Sequence, residues 1–177
     1  MEIPFDFESR PSTVKYVPLG GSSYIPLSKF LAAKKAIISL KNDDDECFKW
    51  ANTRALNAVE KNSESIDKKL QQKSEVLNWD GLKCPVNLSD INKFENHNSS
   101  VSVNVFGYEK LVYSLRISEH NYKRESTVNL ILISDDTKQH YCWIKDKSKL
   151  LSLQSYKIVM LDMCVLDVLI LSIPRNH

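Results

Sequence analysis

Two residues of this chain could carry nucleophilic chemistry together. Cys47 stands in the stretch Asn42–Leu56, N-D-D-D-E-C-F-K-W-A-N-T-R-A-L, at the first turn of an expected helix. His140 lies in Q-H-Y-C-W-I and is the one histidine inside a strongly strand-like run. Thiol chemistry needs thiolate, which a helix N-terminus favours, and a neighbouring imidazole can take the proton and return it to the leaving group. Backbone N–H groups in the turn before Cys47 would face an oxyanion formed on a substrate. The residues alone leave a second alternative open, in which Cys47 is a small core hydrophobe behind a capped helix and His140 a core or surface histidine.

These residues must be positioned by a helix and a strand. Asp43, Asp44 and Asp45 suit a helix start, because carboxylates accept the free N–H groups of a first turn and complement the dipole. The expected helix runs from Glu46 to Val59, with Phe48, Ala51, Ala55 and Val59 as its apolar stripe. Before it, Ser28 is an expected N-cap and 36–41 a short strand; after it come a polar helix near 63–77 and a short one capped by Ser89. From Ser100 the period changes to two, through Val101, Val103 and Val105, then Leu111, Tyr113, Leu115 and Ile117, then 128–133 and 140–145. On the last strand His140, Cys142 and Ile144 share one face, and Tyr141 and Trp143 the other. If the first face meets the helix, His140 approaches Cys47. The fold class is therefore α+β, with N-terminal helices packed on an antiparallel sheet of four to five strands.

Three regions are expected: an extended Pro- and Gly-bearing arm over 1–26, an α+β domain over 27–153, and an atypical tail over 154–177. The formal net charge of +2 and the scatter of lysines among acids give no electrostatic case for nucleic acid. No apolar run reaches membrane-spanning length and no basic, apolar leader opens the chain, so an intracellular protein with free thiols is expected. Cys47, Cys84, Cys142 and Cys164 have no CxxC spacing, so neither a metal nor any other cofactor is expected.

Locally, Asp44, Cys47, Phe48, His140 and Tyr141 stand where the two signature blocks of OTU-type cysteine peptidases carry them, so these strings resemble that family. Asp45 replaces the glycine of its D-G-x-C loop, and Trp50 stands where those proteins often carry arginine. The resemblance implies a papain- or OTU-like arrangement, Cys47 as nucleophile, His140 as general base, Asp44 as a further catalytic residue of the loop, and a protein or peptide substrate. A broader set of strings, including K-K-A-I-I-S-L-K-N-D-D-D-E-C-F-K-W-A, W-D-G-L-K-C-P-V, V-N-V-F-G-Y and K-Q-H-Y-C-W-I-K-D, resembles a segment of Maverick/Polinton-type mobile-element proteins. In those proteins it precedes a zinc finger and a family-B DNA polymerase. That resemblance implies element ancestry and, as the alternative to a hydrolase, a non-catalytic accessory or interaction module, a truncated relic of a polymerase protein. The tail departs from the finger expected there. An ancestral frameshift is the expected cause, since with T-ending codons at Cys164 and Asp167 a shifted frame reads C-x-x-C there; the tail as written is then expected to bind no zinc.

Overall fold

The computed structural model describes residues 24–121, 123–135 and 138–152. The expected arm and tail lie almost wholly outside them. The described chain is α+β. Helix α1 (Lys29–Ala33) is followed by strand β1 (Ile37–Ile38), then α2 (Cys47–Leu56), α3 (Lys68–Ser74) and, after a 3-10 turn at Leu88–Asp90, α4 (Ile91–His97). Strands β2 (Val101–Tyr108), β3 (Val112–Arg116), β4 (Ser126–Ser134) and β5 (Gln139–Ile144) complete one five-stranded sheet in the order β1-β5-β4-β2-β3.

The expectation of an antiparallel sheet needs correction. Three of the pairings are antiparallel, but β2 and β4 run parallel over Val101–Gly107. The connection 117–125 does not turn back as a hairpin; it carries the chain past the end of β2, so β4 pairs on the side opposite β3. Buried amides fix that crossing. Asn104 Nδ2 donates to Asn121 Oδ1 at 2.9 Å and to Asn129 Oδ1 at 3.0 Å, and Asn104 Oδ1 accepts from Ser118 N at 2.9 Å.

The sheet is buried on both faces, by different elements. Alternation sends Val101, Val103, Val105, Val128, Leu130, Tyr141 and Trp143 into one core with Cys47, Phe48, Trp50 and Ala51 of α2. Phe106, Ile131, Ile133, Cys142 and Ile144 form a second core with Ile25, Leu31, Ile37 and Leu150. The helix α2 is shorter than expected, ending at Leu56 with Asn57 as its cap, because Asn57 turns its N–H and Nδ2 onto Thr53 O. Among the described residues no helix is long and apolar enough to cross a membrane.

Glu95 on α4 ties the helical layer to the sheet. Its side chain is 4% exposed, its Oε2 meets Arg116 Nη2 at 2.9 Å and its Oε1 accepts from Val103 N at 2.6 Å. Burial alone would raise this carboxyl, yet Arg116 and the Val103 N–H hold it below its ordinary value. Removing one partner of a buried pair strands the other. Glu95→Ala is therefore expected to cost about 3–5 kcal/mol, read as a lower urea midpoint; a loss under about 1 kcal/mol would contradict this bridging role.

Candidate functional site: Cys47, His140 and Ser39

Cys47 is the first residue of α2, as the sequence implies, and it is 1% exposed. Its Sγ accepts from Tyr141 N at 3.5 Å. Because that amide follows His140, covalent geometry alone puts the thiol within about 6 Å of the His140 Cα. The helix start thus reaches β5 beside the expected base.

The side chains go elsewhere. The face of β5 that meets α2 carries Tyr141 and Trp143, with the Phe48 and Tyr141 ring centroids 5.2 Å apart. His140 alternates with them onto the other face, where it is fully buried against the Tyr24 ring at 5.6 Å. Its Nε2 lies 3.1 Å from Ser39 Oγ, and its Nδ1 is buried with no hydrogen-bond partner. The Cys47 thiol thus packs on the Tyr141 face of β5 and the His140 ring on the opposite one, with Nδ1 making no bond to the thiol.

Ser39 stands beside His140 without any signal in the sequence. Its position follows from the register of β1 on β5, where Ile37 pairs Ile144 and Ile38 pairs Trp143; one residue on, Ser39 comes level with Cys142 on the His140 face. Ser39 also hydrogen-bonds the Cys142 thiol, which burial pushes up to about 12. Burial likewise pushes His140 down to about 4, so the ring is neutral near pH 7. A neutral ring has one N–H. An orphaned buried N–H is rarer and costlier than an under-used acceptor, so the proton belongs on Nε2, donating to Ser39 Oγ. Ser39 can then donate onward to Cys142 Sγ. In that tautomer His140 presents no lone pair to Ser39.

Asp44 has a local task. Its Oδ1 accepts from Glu46 N and Asn42 Nδ2, both at 2.9 Å, and its Oδ2 accepts from Trp50 Nε1 at 3.0 Å. Burial opposes ionisation, but those hydrogen bonds from Asn42, Trp50 and Glu46 outweigh it and lower the carboxyl. Trp50, in the place where arginine was noted for the resembling family, thus supplies the clamp that shapes the turn before Cys47. A cavity of about 720 Å³ opens beside this turn, lined in part by Lys41, Asp43, Asp44, Trp50 and Glu64. Neither Cys47 nor His140 lines it. A separate pocket of about 260 Å³ is lined by Val86, Leu88, Leu115, Leu132, Gln139 and Tyr141 among others. Cys84 is the exposed thiol among the described cysteines; partial burial, then the Glu46 carboxylate, push it up to about 11. No cluster of three or more potential metal-ligating side chains occurs among the described residues.

Comparisons with protein-family models, with characterised proteins and with solved structures find no match for this chain.

Proposed function

We propose that this domain is a non-catalytic accessory module of mobile-element ancestry, in which an arrangement like that of thiol hydrolases has been turned into core. The observation that carries this reading is the Nε2–Oγ contact of 3.1 Å between His140 and Ser39, both buried. It occupies one imidazole nitrogen, while desolvation removes the basicity that a proton acceptor for Cys47 would need. The Cys47 thiol, meanwhile, stands in for a ladder acceptor by taking the Tyr141 N–H at the edge of β5. Its thiol is worth more here as packing than as a nucleophile.

The competing reading keeps Cys47 as nucleophile, His140 as base and Asp44 as a further catalytic residue acting on a protein or peptide substrate. Its support is the placement of Cys47 at a helix start beside His140. A peptide- or ubiquitin-based electrophile separates the two readings. The module should leave Cys47 unlabelled in the native protein, with mapped adducts confined to other cysteines. Stoichiometric adduct on Cys47, lost in His140→Gln with folding retained, would establish the hydrolase instead.

A further inference from the structure

The chain's formal charge of +2 conceals a concentration of lysine that the fold creates. Residues 29–35 contain Lys29, Lys34 and Lys35, and 145–149 contain Lys145, Lys147 and Lys149 with Asp146 as the single acid. These two segments come from opposite ends of the described chain. The Ala36 carbonyl brings them together, accepting from Lys145 N at 2.8 Å and from Asp146 N at 3.2 Å. The twelve residues hold a formal +5, so the rest of the chain is net acidic.

Aromatic rings run between the two groups of lysines. Lys34 Nζ sits 5.0 Å from the Phe30 ring centroid, Phe30 stacks on Tyr108 at 5.8 Å, and two residues back along β2 Phe106 has Lys147 Nζ at 5.1 Å. Phe30 is 40% exposed. The Lys34 ammonium is covered and has no hydrogen-bond acceptor, so beyond its Phe30 ring contact it adds positive field to the corner rather than a direct contact. Lys35 adopts φ 51°, a left-handed conformation in which glycine would cost less. Asp146 is largely committed, to Lys149 at 3.3 Å and to its N–H at 2.9 Å.

We propose that this corner, built from α1, the turn at Lys34–Lys35 and residues 145–149, binds the phosphodiester backbone of a nucleic acid. The exposed lysines of two adjoining segments, Lys29, Lys35 and Lys145 among them, supply point charges for successive phosphates, and the exposed edge of Phe30 beside them offers a contact to a base or sugar. An anionic membrane is the weaker fit, because among the described residues Phe30 is the one large exposed apolar side chain the patch offers as an anchor. The inference goes beyond the accessory-module reading and does not depend on whether Cys47 reacts.

Fluorescence anisotropy with labelled single-stranded and duplex oligonucleotides of about twenty nucleotides tests it. Binding of either should weaken roughly a hundredfold between about 50 and about 200 mM salt, as expected if about four phosphates are neutralised. Combining Lys29→Gln, Lys35→Gln, Lys145→Gln and Lys147→Gln should reduce affinity at least about tenfold. Combining Lys61→Gln, Lys68→Gln, Lys69→Gln and Lys73→Gln changes net charge equally and should leave binding nearly intact. Lys35→Glu alone, at an exposed position, gives the same direction should the fourfold variant fold poorly. Equal losses in the two fourfold variants would reduce the effect to net charge and overturn the proposal. So would an absence of binding at about 50 mM salt, or a preference for phosphatidylserine vesicles over both oligonucleotides.

Discussion

Lowering the pH from 6.5 to about 4 should cost this protein about 3 kcal/mol of stability through His140 alone. The folded ring resists protonation, with its value depressed to about 4 from 6.5. The unfolded chain therefore binds the extra proton first as pH falls. Stability is complete above 6.5, declines through the window between the two values, and levels off below about 4. The carboxyls of Asp44 and Glu95 are lowered below their ordinary 3.8 and 4.5, so their losses fall mainly beneath this window. Urea titrations at closely spaced pH values read the slope directly. In His140→Gln the slope between pH 6.5 and 4.5 should flatten, whatever its absolute stability. A slope unchanged by that substitution would mean that His140 is hydrated and free to titrate.

Phe48→Ala should be the most damaging single truncation in the helical layer, costing about 3–5 kcal/mol. Phe48 is fully buried, and its ring makes edge contacts with Phe94 at 5.5 Å, Tyr141 at 5.2 Å and Trp79 at 6.4 Å. It thus joins α2 to α4 and to β5. Collapse of the space is hindered because Trp79 and Phe94 already stack on each other at 4.9 Å. Besides the lower urea midpoint, the variant should expose Cys47 to small alkylating reagents, since the first turn of α2 rests on that ring. A cost near 1 kcal/mol would show that the neighbours refill the site.

How far these features were legible in the sequence depends on how local their causes are. The strands announce themselves because Val101, Val103 and Val105 alternate, and β5 divides correctly into a His140 face and a Tyr141 face. The start of α2 at Cys47 was visible for the same reason, in the acidic turn that Asp44 organises. The parallel pairing was hidden, because it is decided by polar residues of 117–125 bonding to Asn104 rather than by any period. Which face of β5 meets α2 was likewise undecided by alternation, which fixes sides without saying what covers each. Ser39 beside His140 needed the β1–β5 register, and the lysine corner needed the same pairing extended through Ala36. Both are products of contacts between distant segments.

His140 acts as a buried hydrogen-bond donor to Ser39, not as the base of a thiol. Long-range ¹H–¹⁵N NMR of the imidazole reports this directly, since the two nitrogens of a neutral ring differ in shift and coupling according to which bears the proton. The expected spectrum shows the Nε2–H tautomer at neutral pH, no protonation until the protein approaches pH 4, and a changed Nε2–H resonance in Ser39→Ala. An Nδ1–H tautomer, or an imidazolium near neutral pH that disappears in Cys47→Ala, would contradict it and restore the thiolate–imidazolium pair.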